Sequence, residues 1–299
     1  MTRRFTTLAW SAAACTYLLI VLGAVVRITG SGMGCGDHWP LCNGHLFPPL
    51  DDIGTVIEWS HRLVAALVSV LVIGLAAYDW WLRPSARPPL RPSYVALGLL
   101  IVQVLLGAIT VKLELPAWSV VLHLGTAMLL LAMLLIAASR PPSPEGRGGQ
   151  GVRTTGRGGT AVLVLTFVTV LFGALTANLG AAAACSGFPL CNGQVWTTAG
   201  PLALIHWTHR LLAYALTAVV FVAAWRSGQR GMWGVGVLVL AQVALGAATV
   251  LLGLPPLLQA AHVALGSAVW AGVVLVTLVA QRDRMPRPSE PGNVAAALP

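Results

Sequence analysis

Apolar residues in this chain come in long uninterrupted blocks, not at the alternating spacing of a water-facing helix or strand. Eight blocks stand out: Leu8–Val26, Trp59–Tyr78, Val95–Val111, Val120–Ala138, Ala161–Leu179, Leu202–Ala224, Val235–Leu252 and Leu257–Ala280. Crossing a bilayer core takes roughly 20 apolar residues in a helix, and a helix satisfies its own backbone where no water can. The blocks predict an all-α polytopic membrane protein of eight transmembrane helices. The third and seventh are short and are expected to extend into their flanks. The first follows Arg3 and Arg4 like the core of a secretory signal. It lacks a clear small-residue cleavage site followed by a soluble domain, and the fifth block is its counterpart, so it is expected to stay in the fold.

Composition agrees: 57% of residues are hydrophobic and 9% charged, against about 25% charged in soluble domains. The net charge of +9 does not read as a nucleic-acid surface, because the arginines are scattered between blocks and form no groove-like cluster. Their placement instead sets topology. Arg3 and Arg4 precede the first helix; Arg83, Arg87 and Arg91 lie between the second and third. Arg140, Arg147, Arg153 and Arg157 separate the fourth from the fifth, Arg226 and Arg230 the sixth from the seventh, and Arg282, Arg284 and Arg287 follow the last. All fall on one side of an eight-helix alternation, which places both termini in the cytoplasm of a cell-membrane protein.

The motifs occur twice and in the same order. Trp39-Pro-Leu-Cys-Asn-Gly44 returns as Phe188-Pro-Leu-Cys-Asn-Gly193, and Trp59-Ser-His-Arg-Leu63 as Trp207-Thr-His-Arg-Leu211. Gln103 ahead of Leu-Gly-Ala-Ile-Thr-Val111 returns as Gln242 ahead of Leu-Gly-Ala-Ala-Thr-Val250, and His123 as His262. The chain is thus expected to be two tandem four-helix bundles related by a pseudo-twofold axis along the membrane normal. The expected boundaries are 1–140 for the first half, 141–159 for a Pro-, Gly- and Arg-rich cytoplasmic linker, 160–281 for the second half, and 282–299 for a cytoplasmic tail. Each half carries one long outer loop, about Ile28–Ile57 and Gly180–Pro201.

Four histidines, His61, His123, His209 and His262, lie about one turn inside the outer ends of even-numbered helices. Ionisable residues inside a membrane are costly and point to function. Two neutral imidazoles facing one cavity suit the axial positions of a haem iron without a buried counter-charge. A single intramembrane histidine is often a packing residue; four at repeated positions point to ligation. Other metals are disfavoured, since no carboxylate or thiolate repeats at that depth. Glu58 shares a helix face with His61, and its counterpart is His206. Glu58 either handles protons beside a reacting group or caps the second helix. His206 is either a group supporting the site or an interfacial residue.

Arg62 and Arg210 each follow a histidine and suit either haem propionates or snorkelling to headgroups; Arg27 is a similar outer-face candidate. Cys35 and Cys42 share the first long loop, and Cys185 and Cys191 the second. One pair per repeat in an oxidising compartment favours the disulfides Cys35–Cys42 and Cys185–Cys191, as staples or as redox-active pairs. Cys15 reads as packing. A zinc set of Cys35, His38, Cys42 and His45 is disfavoured because the second loop has no histidines. Gly23, Gly107, Gly173 and Gly246 recur in the helices, either for close helix contact or to make room for a flat macrocycle.

Taken together, these residues resemble the haem A synthase family over about Leu8 to Ala280. The carriers are Arg27-Ile-Thr-Gly-Ser-Gly32, Cys35 with Trp39-Pro-Leu-Cys42, Glu58-Trp-Ser-His-Arg62, His123, Thr208-His-Arg210 and His262. The resemblance implies oxidation of a haem O methyl to a formyl group by successive hydroxylations, for terminal oxidase assembly. It implies that the second half binds haem b through His209 and His262. It implies that the first half receives haem O at His61 and His123, with Glu58 required for activity. Disulfides in both outer loops and a partnership with the haem O synthase or an oxidase assembly factor are further implications. The rival reading is a bis-histidine cytochrome in quinone-linked electron transfer, which leaves the Glu58/His206 asymmetry unexplained.

Overall fold

The computed structural model of the chain describes residues 2–82, 91–139, 156–197 and 199–279. Eight long helices run in order: α1 Thr2–Ile28, α2 Ile53–Leu82, α3 Pro92–Lys112, α4 Ala117–Ser139, α5 Gly156–Asn178, α6 Pro201–Ser227, α7 Arg230–Leu251 and α8 Pro256–Val274. A π-helical turn, Leu275–Val279, prolongs α8. Each helix is long and apolar enough to cross a membrane, and the protein is a multi-pass membrane protein. Exposed Val70, Ile101, Leu105 and Val237 are what lipid-facing helix surfaces carry, since acyl chains are as apolar as leucine.

The helices outrun their apolar blocks, most of all at α2, which begins at Ile53 and not near Trp59. The cause is a cap. Asp52 Oδ2 accepts the Thr55 backbone N–H at 2.7 Å and the Thr55 hydroxyl at 3.0 Å, satisfying a donor of the first turn. Those bonds, the backbone one first, hold the Asp52 carboxyl below its ordinary range. The extension matters for function, because it puts Glu58 and His61 inside a formed helix. At the other join, α5 starts at Gly156, inside the stretch expected to be linker; 141–155 and the expected tail 282–299 lie outside the described residues.

The interior is organised around α4, which packs against α1, α3, α5 and α8. Its Leu130, Leu131, Leu134 and Ile136 are sealed from solvent. Polar bonds stitch α1 and α4 to the later helices. The Tyr17 hydroxyl donates to Ala264 O at 2.9 Å, and Trp270 Nε1 donates to Met128 O at 2.8 Å. Arg27 in α1 donates to Ala177 O at 3.2 Å and to Gln259 Oε1 at 3.3 Å. Each bond pairs a group that would be expensive to leave bare in a low-dielectric interior. At the end of the bundle remote from the long loops, Asp79 and Arg91 form a buried ion pair at 2.7 Å, and the Ser93 hydroxyl also donates to Asp79. That pair fastens the end of α2 to the start of α3.

Candidate functional site

The site is built on four glycines. A Cβ added to Gly23 would lie 3.3 Å from His61 Nε2, and one on Gly107 3.3 Å from His123 Cε1. On Gly173 it would lie 2.9 Å from His209 Cε1, and on Gly246 2.9 Å from His262 Cε1. Each histidine ring therefore rests on the bare backbone of the preceding helix: α2 on α1, α4 on α3, α6 on α5, α8 on α7. This answers the question left open in the sequence. The repeated glycines make room for imidazoles, a contact no other residue permits without displacing the ring.

The rings pair within each half. His61 and His123 lie within electrostatic range of one another, as do His209 and His262. All four are half-buried, so a ring braced by glycine on one side keeps surface on the other. Nδ1 of His123, His209 and His262 is itself buried without a hydrogen-bond partner. Two imidazoles in each half, with Nδ1 of His123, His209 and His262 left without a protein partner, are a donor set that fits a haem iron. Among the described residues no group of three or more His, Cys, Asp or Glu gathers as a polydentate metal cluster.

Glu58 does not cap α2; Asp52 does. Glu58 is buried, with Oε2 accepting the Cys35 backbone N–H at 2.8 Å and Oε1 paired with Arg62 at 2.5 Å. The Arg62 guanidinium also donates to His38 O at 3.0 Å and Leu41 O at 2.5 Å. The second half repeats the frame with a different centre. His206 fills the slot of Glu58, its Nδ1 3.1 Å from Ala181 O and its Nε2 accepting from Arg210 Nε at 3.2 Å. His206 is thus buried in the supporting frame and not interfacial. Arg210 donates to Gly187 O at 2.9 Å, Leu190 O at 2.8 Å and Cys185 O at 2.9 Å. Neither arginine snorkels: both clamp the outer loop over the helix carrying the histidine. Sequence reading missed this role, because which loop carbonyls converge depends on the folded loop. The two disulfides, Cys35–Cys42 and Cys185–Cys191, are formed, and Cys15 is free and half-buried in α1.

Two glutamines join the site from α3 and α7. Gln103 Nε2 lies 2.9 Å from His123 Nε2, and Gln242 Nε2 3.2 Å from His262 Nε2. Both were visible in the sequence as repeat partners, without a role.

Residues 6–274 match the model of a family described as cytochrome oxidase assembly protein. The chain belongs to the cytochrome oxidase assembly protein family. Within it, the chain is 36% identical over 214 residues to the heme A synthase of Shouchella clausii, covering 69% of this chain and 71% of that one. It is 32% identical to the heme A synthase of Bacillus licheniformis, over 72% of this chain and 75% of the relative. Against that of Symbiobacterium thermophilum it is 32% identical over 275 residues, 85% of this chain and 88% of the relative. The match in this family spans all eight helices, so the paired histidines, both disulfide loops and Glu58 fall inside it.

Proposed function

We propose that this chain is a haem A synthase of the cell membrane, converting haem O to haem A by successive hydroxylations of one ring methyl. The observation that carries the reading is the duplicated histidine pair, cradled by glycine in both halves, with Glu58 in one frame and His206 in the other. A haem-binding protein built only for electron transfer gives no reason for the two frames to differ.

In this reading 1–140 is the substrate half and 160–281 the half holding haem b, joined by 141–159 and followed by the tail 282–299. His209 and His262 would hold haem b, and His61 and His123 would receive haem O. Bound haem b supplies one-electron redox chemistry. The chain's own contribution is to orient and to neutralise. The cradle glycines brace the imidazoles that would meet the ligand. Glu58, the acidic member of the frame, carries the proton given up at the methyl carbon or steadies positive charge developing there. Its two hydrogen bonds fix the carboxylate, so little reorganisation is required at the moment of reaction. Arg27 suits a propionate because both its partners, Ala177 O and Gln259 Oε1, are neutral; Arg62 and Arg210 could offer donors in addition to their loop bonds. The disulfides Cys35–Cys42 and Cys185–Cys191 hold the loops over these frames. The arginine pattern supports both termini lying in the cytoplasm and the loops outside. A haem O synthase or an oxidase assembly factor is the fitting partner, handing over or receiving a haem.

The test is chemical. The full-length protein, purified in detergent, is supplied with haem O, dioxygen and a reductant, and its haems are extracted and weighed by mass spectrometry. Haem A or its hydroxylated precursor supports the reading. Haem b alone after that treatment favours the bis-histidine cytochrome.

A further inference from the structure

We infer that the tips of both long loops are seated in the bilayer, Leu46 and Phe47 in one half and Val195 and Trp196 in the other, with the lipid of the headgroup–acyl boundary as their partner. The inference is independent of the chemistry proposed for the histidines.

The two tips are built alike. The Cys42 N–H donates to His45 O at 2.9 Å and the His45 N–H to Cys42 O at 2.8 Å, across Asn43 and Gly44 at φ 51° and 81°. The Gln194 N–H donates to Cys191 O at 2.9 Å, across Asn192 and Gly193 at φ 54° and 75°. Positive φ at both central residues is the tight reversal that Asn-Gly favours. Each reversal starts from a buried disulfide cysteine, so the chain leaves it from a fixed point. What it then presents is apolar: Leu46 is 70% exposed, Phe47 72%, Val195 72% and Trp196 70%. A loop tip made for water carries polar residues. Here no Asp, Glu, Lys or Arg occurs from Asn43 to Leu50, or anywhere from Gly180 to Pro201.

Contacts with the helices set the depth. Trp59 Nε1 donates to Leu46 O at 3.1 Å, and the Phe47 ring meets the Trp59 ring edge-on at 6.0 Å. These contacts tie the first tip to the flank of α2 beside the residue where its apolar block begins, about 9 Å along the axis from Ile53. Trp59 is itself half-buried, and exposed Leu63, Leu67 and Val70 continue the same face down α2. The second loop goes as deep. The Tyr214 hydroxyl donates to Pro189 O at 2.7 Å, and the Phe188 ring meets the Tyr214 ring at 6.3 Å. Tyr214 lies about 20 Å along α6 from Pro201, inside the apolar block, and even with its side chain leaning back toward the helix start the loop runs beside a membrane-crossing stretch. Exposed apolar patches mark either protein or membrane contact. This one is the upper edge of the surface that already faces lipid and is not set apart from it, and tryptophan at that level is what a membrane boundary selects.

The experiment uses the full chain in vesicles of phosphatidylcholine and phosphatidylglycerol. The photo-crosslinking residue p-benzoylphenylalanine replaces Phe47, Trp196 or, as a control on the same first loop, exposed Asp51. After irradiation, lipid adducts are expected at 47 and 196 and none at 51. The unsubstituted protein gives a second reading: under hydroxyl radicals in the same vesicles, Phe47 and Trp196 are expected to be protected despite their exposure, and His38, whose side chain is 59% exposed beside Asp37, to be modified. Tips oxidised as readily as His38 overturn the inference. So do adducts at 47 and 196 to a second copy of the chain in vesicles, or to another protein in cell membranes, which would make the tips a protein-docking surface. Failure to form haem A bears on the proposed function and leaves these readouts unchanged.

Discussion

Replacing a cradle glycine tests the site with the smallest possible change. Gly173→Ala and Gly246→Ala each place a methyl group 2.9 Å from a histidine Cε1, about half an ångström inside ordinary contact. The obstacle is the ring, which is wedged between helices, so ring or helix must move. Overpacking of this kind costs about 1–3 kcal/mol. Alanine recovers up to about 1 kcal/mol of helix propensity over glycine, so the melting temperature is a poor readout and ligand geometry a good one. A ligating group must stay within about 0.5 Å of its productive position, and each 1.4 kcal/mol is a tenfold change in affinity. Haem retention in both variants is therefore expected to fall about 5- to 100-fold, measured by pyridine haemochrome against protein. Gly23→Ala and Gly107→Ala, with methyl contacts at 3.3 Å, should be milder in their own half. Gly74→Ala and Gly98→Ala, whose methyl groups meet nothing within 4 Å, should match the parent. Full retention in Gly173→Ala and Gly246→Ala, or equal loss in Gly74→Ala, would refute the cradle argument.

Further outcomes follow from the same geometry. Glu58→Gln keeps an oxygen for the Cys35 N–H and removes the charge opposite Arg62; turnover of haem O should fall about 100-fold or more while the haem content of the second half is unchanged, and undiminished turnover would end the proton-handling role. Asp79→Asn leaves Arg91 buried without its counter-charge, which should cost about 3–5 kcal/mol and lower the melting temperature in detergent with the haem spectrum of the folded fraction intact. The Asp52 carboxyl titrates below its unfolded value, so its cap is present at neutral pH and is lost as pH falls through the folded value. Exchange of the Thr55 amide should accelerate over that acidic window, and Asp52→Ala should make it fast and independent of pH there beyond the intrinsic chemistry; a Thr55 amide equally protected in both proteins would show that the cap is not what starts α2.

Helix number and order were legible because lipid imposes a length and a composition on every span. The histidines were legible because duplication repeats them at one depth. The start of α2 was not, since hydropathy is silent about a cap and Asp52 lies outside the apolar block it extends. Nor was the Asp79–Arg91 pair: Arg91 read as one more positive loop residue, and only its packing against α2 shows that it is buried. The glycines were found by repetition, yet a choice between helix contact and ligand space required knowing that an imidazole from the neighbouring helix already fills the gap. Arg62 and Arg210 were found beside their histidines, but their partners are loop carbonyls brought together by chain reversals that no local pattern encodes.

Those two arginines set how the ends of the bundle can open. His61 and Arg62 are neighbours on α2, and His209 and Arg210 on α6, so each outer loop is tethered to the helix that presents the ligand. Lifting a loop means breaking charge-assisted bonds of about 1.5–3 kcal/mol each, and the two fastenings differ in chemistry. Arg210 grips three loop carbonyls, and Arg62 two with a carboxylate between helix and loop. The hold in the first half depends on the charge of Glu58, which also accepts the Cys35 N–H of the loop, and in the second half His206 stands at that place. One duplicated design thus closes its two bundle mouths with different chemistry, a carboxylate in one and an imidazole in the other.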